Sequence, residues 1–75
     1  MDGMIFLRGA FIDSSIKNIV LFMEDSKGKI TTVKKISSLS EANELLVKHG
    51  CSKIYITQVI YDRESKSAKV YCNMV

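Results

Sequence analysis

The feature that most constrains this 75-residue chain is a single segment of helical periodicity, set among apolar runs that lack it. Five residues of that segment are spaced by three and four positions: Leu39, Ala42, Leu45, Leu46 and His49. Ser40 is placed to cap the first free amide groups, and Gly50 follows where helices commonly end. These signals predict one helix over about Ser40–His49.

The apolar runs before this helix have the composition of β-strands. Met4–Ile12 is dense in β-branched and aromatic residues on both alternating faces, which predicts a covered first strand. Gly9 inside that run indicates a bulge or bend. The polar cluster Asp13–Ser15 then predicts a turn into a second strand over Ile16–Glu24, which would complete a first hairpin.

A second hairpin has the clearest turn signal in the sequence. Asp25–Gly28 is typical of a type I turn with Gly in a left-handed conformation, and Lys29–Ile36 follows as the third strand. Alternation along that strand places four side chains on one face: Ile30, Thr32, Lys34 and Ile36.

The chain after the helix predicts a last hairpin, with strands over Lys53–Asp62 and Ala68–Val75 joined by the polar loop Arg63–Ser67. The resulting order is β-β-β-α-β-β. We therefore expect one α+β domain over residues 1–75, built on a five-stranded antiparallel sheet with one helix. The sheet is either open with the helix on one face or closed into a barrel.

Composition indicates which classes of protein this chain can belong to. A charged fraction of 25% with 47% hydrophobic residues is typical of a folded chain. The net charge is +3, and the basic residues are interspersed with acidic residues along the chain. No apolar run approaches the ~20 residues that cross a bilayer, and the N-terminal run is interrupted by charges, which argues against an export signal. We expect a cytoplasmic protein whose two cysteines are free thiols.

Residues for catalysis and metal binding are sparse. His49 is the one histidine, and together with Cys51 and Cys72 it offers three ligands where a structural zinc site needs four. The glycines are isolated, so there is no phosphate-binding loop or dinucleotide motif. We expect no enzymatic activity, no catalytic residues, no metal and no cofactor.

A protein interface is the main functional expectation, because one helix cannot cover both faces of an apolar sheet. Alternation through the last hairpin places Ile54, Ile56 and Ile60 on one face. It places the three tyrosines on the other, in a set with two valines: Tyr55, Val59, Tyr61, Tyr71 and Val75. Tyrosine is enriched at interfaces, which favours a homodimer or another protein partner. If the sheet closes on itself, these rings are ordinary core.

The C-terminal strand offers a second route to assembly. A chain ending in a β-rich segment can leave an unpaired sheet edge, and such edges recruit strands. Pairing across a two-fold axis or addition of a partner's strand would then satisfy its backbone groups.

Nucleic-acid binding is the alternative. A basic cluster lies on and around the third strand and consists of Lys27, Lys29, Lys34 and Lys35. Basic grooves with neighbouring aromatic residues hold single-stranded nucleic acid by phosphate pairing and base stacking. The predicted element order, with Gly9 in a bent first strand, resembles the oligonucleotide-binding OB fold, and the resemblance implies a barrel that binds oligonucleotides.

Taken with the lack of catalytic motifs, these features favour a small non-enzymatic interaction protein that binds or blocks a macromolecular partner. In size and plainness the chain is similar to many phage-encoded inhibitors of bacterial defence, although no segment matches a member of that group.

Overall fold

The computed structural model describes residues 2–75, which form two α-helices and a four-stranded mixed sheet. In chain order the elements are α1 (Gly3–Arg8), β1 (Asn18–Glu24), β2 (Ile30–Ile36), α2 (Leu39–Lys48), β3 (Ile54–Asp62) and β4 (Ser67–Met74). A π-helical turn over Gly9–Asp13 extends α1. The strand order is β2-β1-β4-β3; the two hairpins are antiparallel, and β1 runs parallel to β4.

The predicted first strand is wrong, because this segment of the chain is helical. Asp2 caps the helix: its Oδ1 accepts hydrogen bonds from the Met4 and Ile5 amides at 3.0 and 3.4 Å. Gly3, Leu7 and Ala10 are buried at spacings of four and three residues, as on one face of a helix. Most of the outward-facing residues of this helix are also apolar. The run therefore has the same apolar pattern as a strand covered on both faces. The predicted first hairpin is absent as a result.

The predicted helix is confirmed as α2, with its cap at a different serine. Ser38, not Ser40, is the N-cap, and its Oγ accepts a hydrogen bond from the Glu41 amide at 3.2 Å. Glu41 Oε2 in turn accepts from the Ser37 amide at 2.7 Å, which satisfies a second free donor. Gly50 lies just past the helix with φ of +65°, as expected for a glycine in that position.

The predicted second hairpin is confirmed, and its two strands are β1 and β2. Asp25 Oδ1 accepts hydrogen bonds from the Lys27 and Lys29 amides at 2.8 and 3.0 Å, and Gly28 takes the left-handed conformation with φ of +80°. A register shift between Met23 and Glu24 brings Ile30 opposite Glu24. The prediction that Ile30 shares a face with the other alternate residues of β2 is therefore wrong.

The last hairpin is also confirmed, but its place in the sheet differs from the prediction. β4 lies between β1 and β3, so the C-terminal strand is internal, and the two edges are β2 and β3. The sheet of residues 2–75 is open, which rules out the OB-like barrel. The expected five-stranded antiparallel sheet with one helix is corrected to four mixed strands with two helices, although the broad α+β class agrees.

Both helices pack on the same face of the sheet and form one hydrophobic core with it. Apolar residues of α1 and α2 join one set of alternating strand residues in this cluster. Its fully buried large side chains are Leu7, Ile19, Leu21, Ile36, Ile54, Val70 and Cys72. The opposite face, within residues 2–75, is covered by no helix.

Candidate interaction surface

We call the sheet face opposite the two helices the open face. Its members follow from the strand registers, since paired residues of neighbouring strands point to the same side. Seven apolar residues lie on it: Val20, Phe22, Ile30, Val33, Tyr55, Ile60 and Tyr71. A continuous set of large apolar side chains therefore crosses all four strands.

An aromatic pair forms the centre of the open face. Phe22 on β1 lies beside Tyr71 on β4, the two inner strands, and their rings stack with centroids 4.8 Å apart and planes 15° apart. Such offset stacking is a favourable geometry for aromatic rings. Both residues are half-buried, as is the neighbouring Val20. The centre is thus a preformed, ordered apolar platform.

The outer parts of the open face are apolar and exposed. The exposed fraction is 56% for Val33, 46% for Ile60, 42% for Tyr55 and 41% for Ile30. These residues come from the edge strands on both sides of the aromatic pair. Contiguous exposed apolar surface of this kind marks sites of protein association more often than isolated apolar residues do.

Charges on the open face are balanced. Lys35 and Lys69 provide two cations, while Glu24 and Asp62 provide two carboxylates. Glu24 Oε1 accepts a hydrogen bond from Thr57 Oγ1 at 3.0 Å. Hydrogen bonds from Ser65 hold the pKa of Asp62 below its ordinary value, so this carboxylate is ionised at neutral pH. The face therefore carries no net charge, although the whole chain has +3.

The three tyrosines do not share a face, in contrast to the prediction. A register shift in β3 between Ile56 and Gln58 inserts one extra residue and exchanges the two sides of the strand beyond it. Tyr61 consequently lies opposite Ala68 on the helix side, where its ring contacts Phe6 with centroids 6.4 Å apart. The same shift moves Ile60 from the helix side to the open face.

The five predicted interface residues are thus divided. Tyr55 and Tyr71 lie on the open face, whereas Val59, opposite the core residue Val70, and Tyr61 face the helices. Val75 is exposed beyond β4, where its backbone exchanges hydrogen bonds with Lys53.

The apolar residues of the open face that sequence reasoning missed are Val20, Phe22, Ile30, Val33 and Ile60. A signal for the last of these was present, because the adjacent polar residues Thr57 and Gln58 interrupt the alternation at the bulge.

The four predicted nucleic-acid-contacting lysines do not form one patch. Lys27 and Lys29 belong to the β1–β2 turn, while Lys34 lies opposite Leu21 on the helix side and Lys35 lies on the open face. Lys34 and Lys35, on the edge strand β2, instead line a groove of about 550 Å³ between β2 and α2. Lys48, His49 and the carboxylates of Glu41 and Glu44 line the same groove. This groove has mixed charge.

Reactive side chains are separated or shielded. Cys51 and Cys72 are free thiols, and Cys72 is fully buried. The pKa of Cys72 is raised to about 11, mainly by burial and to a smaller extent by the nearby Glu24 carboxylate. The thiol is therefore protonated at neutral pH. Across residues 2–75 there is no group of three or more side chains placed to hold a metal ion.

Among the described residues, neither helix has the length and apolar character needed to span a membrane. Comparison of the chain with protein-family models, curated proteins and solved structures finds no match.

Proposed function

We propose that this protein is a non-enzymatic interaction module that forms a homodimer through the open face of its sheet. The observation that carries the proposal is the Phe22–Tyr71 platform, surrounded by exposed apolar residues with no covering layer. Burying such residues against a second copy removes apolar surface from water, which is the main driving force for association. The dimer would act by binding or blocking a macromolecular partner.

The size of the open face supports this proposal. The four strands are seven to nine residues long. At about 4.8 Å between strands and ~3.3 Å per residue, they present a flat area of roughly 500 Å². Side-chain relief increases the accessible area, so two copies together would bury roughly 1,000 Å², the lower end for a specific interface. Two sheets packed face to face at about 10 Å are a common arrangement.

The charge balance favours a second copy over nucleic acid. Nucleic-acid surfaces need an excess of cations to neutralise phosphates, and the two lysines of the open face are offset by two carboxylates. In a two-fold dimer, Lys35 or Lys69 of one copy can lie against a carboxylate of the other. The same four charges that weaken phosphate binding are thus compatible with self-association.

The test is the solution mass of two matched variants, measured by light scattering at low micromolar concentration. Val33→Asp places a charge on the open face and should convert the open-face dimer to a monomer at this concentration, because a hydrated carboxylate would have to move into an apolar interface. Val47→Asp makes the same change at an exposed position on α2 and should leave the dimer intact. A monomeric parent chain, or equal loss of dimer in both variants, would refute the proposal.

Nucleic acid is the second candidate, favoured by one observation: Lys35 and Lys69 lie on the same face as the aromatic pair. Bases could stack on this face while the lysines contact phosphates. Binding of a single-stranded oligonucleotide should then weaken steeply with salt, and Lys35→Ala with Lys69→Ala should flatten that dependence. Oligonucleotide binding by a monomeric parent chain would favour this candidate over the homodimer.

A further inference from the structure

The outer side of β3 is an open sheet edge along part of its length. The start of the strand is occupied, because Asp2 forms an antiparallel bridge with Tyr55. From Gln58 to Asp62 the inner side pairs with β4. On the outer side, no strand within residues 2–75 pairs with this segment. Its outward backbone donors and acceptors can therefore receive another strand.

The two edges of the sheet differ in how they oppose strand addition. β2 carries Lys34 and Lys35 and is preceded by Lys29, and lysines on an edge strand discourage pairing with another chain. The segment from Gln58 to Asp62 has no lysine or arginine. Its exposed apolar side chains, Ile60 on the open face and Tyr61 on the helix side, flank the free edge on both sides of the sheet.

We propose that the Gln58–Asp62 edge pairs antiparallel with the same segment of a second copy, centred on Ile60, to join two sheets into one of eight strands. In this register Ile60 lies opposite Ile60 of the second copy. Val59 lies opposite Tyr61 on the helix side, and Gln58 lies opposite Asp62 on the open face. Apolar, aromatic–β-branched and amide–carboxylate pairs all stabilise cross-strand pairing, and no like charges oppose one another.

This edge interface differs from the proposed open-face interface in its symmetry axis, although Ile60 borders both. A two-fold axis perpendicular to the sheet relates antiparallel strands of one sheet, and it leaves both open faces pointing in the same direction. Edge pairing therefore does not depend on whether the open face associates. If both interfaces form, the assembly is a tetramer of two packed eight-stranded sheets.

The experiment measures edge pairing by analytical ultracentrifugation in a Val33→Asp background, where the open face is blocked. Gln58→Lys places an ammonium group opposite Asp62 of the second copy and should tighten association about fivefold. Gln58→Glu places two carboxylates opposite each other and should weaken it by a similar factor. Combining Gln58→Glu with Asp62→Lys restores opposite charges and should recover the association.

Matched controls separate this pairing from a general charge effect. Asn43→Lys and Asn43→Glu make the same changes on the exposed surface of α2 and should leave association unchanged. Circular dichroism of every variant checks that the fold is formed. Equal effects of the two Gln58 variants, or no association of the Val33→Asp chain up to millimolar concentration, would overturn the edge proposal. If Val33→Asp leaves the parent dimer intact and Gln58→Glu removes it, the edge proposal stands and the open-face proposal fails.

Discussion

At the scale of single residues, Gly3 shows how closely α1 approaches the sheet. A Cβ atom placed on Gly3 would lie 2.6 Å from both Cγ2 and the backbone oxygen of Ile54, closer than such atoms can come. Gly9, in contrast, has a helical φ of −59°, and its nearest neighbour would be Asp13 Oδ2 at 4.0 Å. Two glycines of one helical segment therefore have opposite constraints.

This contrast gives a prediction about stability. Gly3→Ala should lower the free energy of unfolding by about 1–3 kcal/mol, because the backbone of Ile54 cannot move aside cheaply. Gly9→Ala should raise it by about 0.5–1 kcal/mol, since alanine is the better helix former and meets no obstacle. Urea denaturation of the two variants measures both changes. An unchanged or increased stability of Gly3→Ala would contradict the described packing of α1 on β3.

At the scale of elements, the N-terminus of α2 depends on one serine hydroxyl. Ser38→Ala should lower the free energy of unfolding by about 1 kcal/mol, because the Glu41 amide loses its acceptor. Ser40, the cap that the spacing had suggested, lies in the first turn and is exposed, so Ser40→Ala should change stability by less than about 0.5 kcal/mol. Thermal unfolding of both variants measures the two changes. A larger loss of stability in Ser40→Ala than in Ser38→Ala would contradict the assignment of Ser38 as the N-cap.

Local signals account for the elements that the sequence predicted correctly. The turn at Asp25–Gly28 and the helix ending before Gly50 are specified by residues within a few positions of each other. The segment Met4–Ile12 was misassigned because its apolar residues satisfy both periodicities, and burial of Leu7 against the sheet decides between them. The outcome there depends on tertiary packing, which composition does not reveal.

The bulge in β3 explains why the interface was predicted only in part. Perfect alternation identified Tyr55 and Tyr71 on the open face, but one inserted residue moved Tyr61 to the opposite side. Phe22 was overlooked because β1 is apolar on both sides, so its alternation does not indicate which side is covered. That distinction follows from where the helices pack.

At the scale of the whole molecule, the decisive feature is the parallel pairing of β1 with β4. It joins two hairpins that are distant in sequence, and no turn residue encodes it. The same pairing stacks Phe22 on Tyr71 and makes β2 and β3 the edges, with the helices together on one face. The open face and the free β3 edge are thus both consequences of this one long-range pairing.

The most direct test of the central claim detects contacts between two copies at the open face. In a sample mixing isotope-labelled and unlabelled chains, filtered nuclear Overhauser spectra report protons of different copies that lie close together. Self-association through the open face predicts intermolecular contacts from Val33 and from the rings of Phe22 and Tyr71, which lie away from the β3 edge. Contacts confined to the exposed helical residues Ile5, Ile12 and Val47, or none at all, would contradict it.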